Sequence, residues 1–519
     1  MDVNIERRGH SFQKGALSKV NIGSSWFILS ILVLHVFVFT VISSIFAHNL
    51  PLDAVESLYW GKEWQLGYFK HPPMSAWMID IVVQLFGRAD WLIFASAQIC
   101  VVMAILPVIL IVRERFGAKA GGYTALAAFL THFTTISAVE YNVNMGFLPF
   151  WGWMVFTFLK AEEKDKLGWW ALFGILSAGG MYGKYIAGVF LITVTLWVFL
   201  KRRDLLKRPG PYLAAFLFLI ALTPHLIWLV HSNFLPIEYA MGRSGSDDKS
   251  WFDHILMPLI YVVEFIYSVA PMLLALAIAA GWRRISTISL TRIKAGVNRV
   301  WADPFMFAAL GPVLVITVIS MVLGADIKTA WSIPLGVVFA GLIGISAAAL
   351  ETGSGDFKNR FMVSWAALYG TLVLVYIAIF VASPLAKNKP ARMLHDGPEL
   401  ARLVESYWYS HETAPFEYVV GSRWPGGTVA WYSSVRPSLF EKASLKYAPW
   451  VDMSDLHQKG ALYVDYKKPR AMVAGMCATD LQKMLWPAAG GKIYKKHPEV
   501  WVATLKPATG LDAVTCVGN

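Results

Sequence analysis

Residues Asp53 to Trp77 read DAVESLYWGKEWQLGYFKHPPMSAW, and they crowd carboxylates, cations and aromatics into one segment between long apolar runs. A connection between two membrane helices needs only a few polar residues. This one offers Asp53, Glu56, Lys62, Glu63, Lys70 and His71 among bulky apolar side chains, which marks it as a place where something polar is handled at a membrane surface. His71-Pro72-Pro73 divides the segment, because proline cannot continue a helix ladder and pushes the residue before it out of the α region. The region 48–90 therefore reads as two short helices lying along the membrane surface, the second being the almost wholly apolar Met74 to Phe86.

The rest of the chain sets that loop in a membrane. Of its 519 residues, 56% are hydrophobic, and the mean hydropathy is +0.51, which excludes an ordinary soluble protein. Apolar segments near 25–47, 91–112, 121–139, 145–160, 168–183, 184–200, 211–231, 255–281, 303–323, 329–350 and 361–383 give about 11 transmembrane helices, at roughly 20 residues per crossing. Arg7, Arg8, Lys14 and Lys19 precede the first of them, and no small-residue cleavage site follows it, so it reads as a retained helix that starts in the cytoplasm. Alternate loops are then basic: Arg113, Arg115 and Lys119; Lys160, Lys164 and Lys166; Lys201 to Arg208; Arg283 to Arg299; Lys358 and Arg360. This distribution accounts for the net charge of +12 without nucleic acid as a partner.

An odd number of crossings places residues 384–519 on the far side with the 48–90 loop. There the apolar runs shorten and turn signals appear, so residues 1–383 read as a transmembrane catalytic domain and 384–519 as a small soluble α/β domain. Its strand candidates are 416–420, 428–432, 461–465 and 499–505. Of the three cysteines, Cys477 and Cys516 fall in this tail, where an oxidising compartment would permit a disulfide and a reducing one would leave two thiols. No thiolate metal spacing exists.

On a helix starting near Asp53, Glu56 is one turn on, and the two carboxylates share a face. One reading makes Asp53 the helix cap with Glu56 completing a capping box. The other makes one of them a general base toward an acceptor hydroxyl. Lys70 and His71 offer a point charge and a donor to a phosphate; against this stand a lysine snorkelling to headgroups and a satisfied histidine.

Asp53, Tyr59-Trp60 and above all Gly67 to Pro73, GYFKHPP, resemble the start of polytopic GT-C glycosyltransferases of the dolichyl-phosphate-mannose–protein mannosyltransferase type. In bacteria that group includes the aminoarabinose transferases of lipid A and the galacturonosyl transferases of rhizobial lipopolysaccharide. The similarity continues in order through Gly174 to Tyr185 (GILSAGGMYGKY), Pro224 to Trp228 with Asn233-Phe234, and Lys328 to Pro334 (KTAWSIP), covering most of residues 25–350.

The resemblance implies an inverting transfer of a sugar from a polyprenyl-phosphate donor to an acceptor hydroxyl outside the cytoplasm. The protein would be a multi-pass component of a bacterial inner membrane, with the catalytic loop and C-terminal domain periplasmic. The acceptor would be lipid A or lipopolysaccharide core. The resemblance also implies a catalytic acid in the first loop, usually within an Asp-Glu pair. Here Asp53 is followed by Ala54, and the second carboxylate is Glu56; distance to GYFKHPP favours Asp53, and spacing to Tyr59-Trp60 favours Glu56. Relatives commonly carry Asp where this chain has Asn144, for which helix capping is the plain alternative. Lys70, His71, Lys184, Tyr185, Arg243 and Lys328 are candidates for the donor phosphate or sugar, since a leaving phosphate calls for preorganised cations. The sequence names no cofactor; the loop carboxylates could ligate a divalent cation, although a single-phosphate donor does not demand one. The rivals are a protein O-glycosyltransferase, a ligase working at the same face through a late large loop, and a transporter or flippase, whose charges would lie mid-span rather than in a loop.

Overall fold

The computed structural model describes residues 20–243, 249–281, 302–351, 356–387, 390–470, 472–488 and 498–507. The helices in chain order are α1 Ser25–Phe46, α2 Leu52–Glu63, α3 Met74–Phe86, α4 Asp90–Phe116, α5 Ala118–Ala127, α6 Val143–Lys164, α7 Leu167–Gly183, α8 Ala187–Lys201, α9 Pro209–His231, α10 Leu235–Arg243, α11 Asp253–Ala280, α12 Pro304–Leu323, α13 Ile333–Leu350, α14 Asp356–Lys387, α15 Gly397–His411, α16 Arg423–Tyr432 and α17 Met453–Lys459. Chain contacts group them into two units, one of residues 1–39, 97–139 and 144–375, the other of 40–96, 140–143 and 376–519.

The first unit is helical. Together with α1, α4 and α14, which run through both sets of residues, it supplies seven helices long and apolar enough to cross a membrane among the described residues. Eleven were expected. The difference lies in the middle of the chain: α6 is diluted by Asn144, Pro149 and its terminal Lys160, Glu162, Glu163 and Lys164, while α7 and α8 have 17 and 15 residues. The expected segment 121–139 is helical only to Ala127, after which turns and a short 3-10 stretch, Ser137–Val139, follow. Gly152 lets α6 lie on α4, since a Cβ there would meet the Ala104 carbonyl oxygen at 2.2 Å. The basic residues expected on one side are matched by acids: Lys160 with Glu114, Arg202 with Glu162 and Asp204, Arg208 with Asp165, and Lys119 with Glu351. Residues Arg7 to Lys19, Arg283 to Arg299 and Cys516 lie outside the described residues.

The second unit combines the 48–90 loop with the C-terminal residues. Its sheet comprises β1 Tyr418–Gly421, β2 Ser438–Glu441, β3 Ala461–Asp465, β4 Met472–Val473, β5 Met476–Leu485 and β6 Glu499–Pro507, in the order β2-β1-β3-β6-β5-β4. β2, β1 and β3 are parallel; β6, β5 and β4 continue antiparallel. The candidates at 416–420, 461–465 and 499–505 fall on β1, β3 and β6, but 428–432 is the end of α16. Thr428, Val429, Trp431 and Tyr432 favour strands locally, yet Pro425 stands in the first turn, where a missing N–H costs nothing. Tertiary packing then decides: a Cβ at Gly427 would come within 2.8 Å of Val55 and 3.1 Å of the Tyr59 ring, so α16 seats tightly on α2. Cys477 is disulfide-bonded, and Cys100 is buried and free.

Candidate active site

GYFKHPP is a folded hook. Tyr68 and His71 exchange backbone hydrogen bonds (2.9 and 3.3 Å), and the Tyr68 hydroxyl donates to the Trp60 carbonyl at 2.6 Å while its ring stacks on Trp60 at 4.5 Å. The prolines stop the turn, and α3 begins. The hook carries Lys70 inward, over the Trp60 ring, to meet Glu56 at 2.5 Å. Both side chains are almost wholly buried, so Lys70 is held by an internal ion pair rather than presented to a phosphate. His71 lies at the back of the hook, its ring edge-on to Trp60 at 6.4 Å.

Asp53 and Glu56 differ in their surroundings. Glu56 is 3% exposed and takes a second cation, Arg423, at 3.1 Å; burial pushes its carboxyl up to about 7 against the pull of Lys70 and Arg423. Asp53 is 45% exposed, and Arg423 approaches it at 3.7 Å. The capping reading does not hold: Pro51 is the N-cap residue, and Asp53 stands inside the first turn. The helix start is capped from elsewhere, by Glu140, whose Oε1 accepts the Asp53 N–H at 2.9 Å. Burial and the neighbouring Asp53 raise the Glu140 carboxyl to about 7. Tyr59 completes the floor by donating to the buried Glu441 at 2.7 Å.

Two of these residues escape a reading of the sequence. Arg423 opens α16, 367 residues beyond Glu56, just ahead of a Pro-Gly-Gly that reads as a turn. Glu140 immediately precedes Tyr141 to Asn144, and its signal was available: an acid between two apolar runs.

The remaining candidates lie in the first unit. Lys184 ends α7 and donates to the Asn144 side chain at 2.5 Å, with its Nζ 5.9 Å from the centre of the Trp331 ring. Asn144 is thus a lysine partner within the first turn of α6, not its cap. Burial, with Arg243 nearby, lowers Lys184 to about 7. Arg243 is exposed at the end of α10. Tyr185 meets His225 at 3.0 Å, and Lys328 pairs with Asp326 at the surface, two residues away. The fold therefore gathers Asp53, Glu56 and Lys70 in one unit, and Lys184, Asn144 and Arg243 in the other. Among the described residues no group of three or more His, Cys, Asp or Glu is arranged to hold a metal ion.

A family described as dolichyl-phosphate-mannose-protein mannosyltransferase matches residues 70–228, from Lys70 of the hook to Trp228. The structure of ArnT from Cupriavidus metallidurans bound to undecaprenyl phosphate superposes with a TM-score of 0.59 at 13% identity, covering 93% of this chain and 98% of that one. This chain has the GT-C glycosyltransferase fold. The apo form of the same ArnT gives 0.58 at 14% identity over 92% of this chain and 98% of that one. No curated protein matches the chain by sequence. The GT-C fold thus extends over the C-terminal sheet as well as the helices, well beyond the stretch the family match covers.

Proposed function

We propose that this protein is an inverting glycosyltransferase that moves a sugar from a polyprenyl-phosphate donor to an acceptor hydroxyl, with Asp53 as general base. The observation that carries this reading is the contrast within one helix: Asp53 is open and pinned by its backbone to Glu140, while Glu56 is buried between Lys70 and Arg423. A base must reach its proton, and a carboxylate enclosed by two cations cannot. Glu56 instead sets the position of Arg423 and stiffens the first turns of α2.

Asp53 takes the proton of the acceptor hydroxyl, the freed oxygen attacks the anomeric carbon, and the bond to the phosphate oxygen breaks with inversion. Negative charge develops on that oxygen, and preorganised cations stabilise it. Lys184 and Arg243 are assigned to the donor phosphate. A lysine lowered to about 7 gains its full charge when an anion arrives, so donor binding and protonation of Lys184 reinforce one another. The carboxylates lie on α2 and in the 140–142 connection rather than on any of the seven helices long and apolar enough to cross a membrane among the described residues, which speaks against a transport path. A periplasmic site in a bacterial inner membrane, and lipid A or lipopolysaccharide core as acceptor, complete the reading; the disulfide at Cys477 supports an oxidising compartment.

Mass spectrometry of envelope lipids and glycans from cells with and without the protein tests it. One acceptor species should lose a sugar-sized increment when the protein is absent. Asp53→Asn should lower transfer by roughly 10²–10⁴-fold, and full transfer by that variant would remove Asp53 from the role.

A further inference from the structure

The second unit holds a cavity of about 500 Å³ that takes no part in that mechanism, bordered by Ser44 at the end of α1, Arg88 and Asp90 at the start of α4, Pro398 in the first turn of α15, and Trp431 and Tyr432 at the end of α16. Its size falls within the roughly 300–1,000 Å³ of small-molecule sites. Both α1 and α4 are long and apolar enough to cross a membrane, so a cavity between the end of one and the start of the other sits where the chain leaves the bilayer. Trp91, beside Asp90, is 54% exposed, as suits an aromatic side chain at headgroup depth. A strap of residues 392–397 fixes one wall: Met393 accepts the backbone N–H groups of His48 (2.7 Å) and Asn49 (3.2 Å), and Gly397 donates back to His48 at 3.2 Å. A Cβ at Gly397 would lie 2.5 Å from the Tyr432 ring and 2.9 Å from Asn49 Cγ, so only glycine lets the strap seat here.

Arg88 and Asp90 bring opposite charges to this cavity without pairing with one another. Arg88 is exposed and donates to three backbone carbonyls, those of Trp431 (3.3 Å), Ser433 (2.8 Å) and Ser434 (3.3 Å). These bonds use only its Nη groups, and no carboxylate neutralises it among the described residues. Asp90 accepts from the Tyr432 hydroxyl at 2.6 Å and from Trp431 Nε1 at 3.4 Å, neutral donors that leave its charge in place. The segment 431–434 thus holds a guanidinium and a carboxylate side by side but separate, and a ligand carrying both an anion and an ammonium can meet the two at once. The guanidinium fork suits phosphate oxygens. A carboxylate takes charge-assisted hydrogen bonds from a primary ammonium, which a quaternary ammonium has no N–H to give.

We propose that this cavity binds the headgroup of a phosphatidylethanolamine molecule of the surrounding bilayer, its phosphate at Arg88 and its ammonium at Asp90. The place of the cavity favours a lipid over a free phosphate compound, since Ile45 and Phe86, neighbours of its lining residues in the chain, are exposed apolar side chains ready to meet acyl tails. Seated there, the lipid braces the end of α16 opposite Arg423.

Native mass spectrometry of the delipidated full-length protein tests this, by titration with phosphatidylethanolamine, phosphatidylcholine and phosphatidylglycerol of the same acyl chains. Phosphatidylethanolamine should bind at least about tenfold more tightly than either of the others. Asp90→Asn, which keeps an oxygen for Tyr432, should bring it down to the level of phosphatidylcholine. Arg88→Gln should weaken both lipids roughly tenfold, as expected for loss of a charged hydrogen bond. Because Arg88 also anchors 431–434, Ser44→Trp supplies a second reading: it leaves the charged pair intact, fills the cavity from α1, and should lower phosphatidylethanolamine binding at least about tenfold. Phosphatidylcholine or phosphatidylglycerol matching phosphatidylethanolamine, a preference that survives Asp90→Asn, or unchanged binding in Ser44→Trp would overturn the proposal. Displacement of the lipid by an equimolar amount of O-phosphoethanolamine would overturn it too, by showing that the acyl chains contribute nothing.

Discussion

Glu140 and Glu56 both hold their protons more firmly in the folded protein than in an unfolded chain, each raised from 4.5 to about 7 chiefly by burial. Between those values the folded state binds more protons than the unfolded one, so stability falls as pH rises through this window and levels off above it. Glu140→Gln keeps an oxygen to accept the Asp53 N–H and removes one of the two contributions. The decline in Tm of the purified protein from about pH 5 to about pH 8 should shrink by roughly half in that variant, and an unchanged decline would show that Glu140 titrates normally. Glu56→Gln removes the other contribution, the amide standing in for the protonated carboxyl, so the same decline should shrink by roughly half in that variant as well. At this scale the sequence disclosed the loop acids and GYFKHPP, since all lie within one short segment. The pairing of Lys70 with Glu56 was not legible there, because a lysine preceding two prolines looks presented to solvent until the Tyr68–His71 turn is seen to carry it inward. Arg423 was hidden for another reason: nothing local marks a residue whose partners are brought to it only by folding.

Helices α2 and α3 cross at Gly61, where a Cβ would lie 2.6 Å from the Ala76 carbonyl oxygen and 2.8 Å from Asp80 Cβ. Backbone cannot give way as a flexible side chain can, so Gly61→Val should cost at least about 1–3 kcal/mol and lower both Tm and transfer as the Glu56 end of α2 is pushed aside. Gly370→Val, on a stretch of α14 with open space around it, supplies the contrast and should leave Tm within a degree or two of the parent. Proline and glycine punctuation made α2, the break and α3 readable, with Asp80 as the exception: this acid in an apolar helix is buried and satisfied by Trp64 and Gln84. The same punctuation misled at 428–432, where strand-forming residues follow Pro-Gly-Gly. Their conformation is settled by the close seat of Gly427 on α2, a contact between segments far apart in sequence.

Across the whole chain, hydropathy revealed the membrane class and the polar tail; against about eleven expected crossings, seven helices among the described residues are long and apolar enough to cross a membrane. The helices α7 and α8, joined at Lys184, have 17 and 15 residues and fall short of that length. The proposed orientation makes a prediction at this scale. Lys468→Cys, exposed after β3, should react with a membrane-impermeant maleimide in intact cells whose outer membrane has been opened, whereas Lys207→Cys should react only after the inner membrane is permeabilised. The reverse pattern would place the carboxylates toward the cytosol. Native thiols should interfere little, since Cys100 is buried and Cys477 is bonded.

The strap at 392–397 and the docking of α16 mean that the reactive loop, made early, has no finished shape until the last quarter of the polypeptide has been synthesised. Glu56 waits for a counter-ion encoded 367 positions downstream. Contacts of such high sequence separation form slowly, so the nascent membrane helices would carry a half-built, inert loop through most of translation. A premature stop between the end of α14 and Arg423 would then yield a product that keeps its membrane helices and lacks the counter-ion of Glu56.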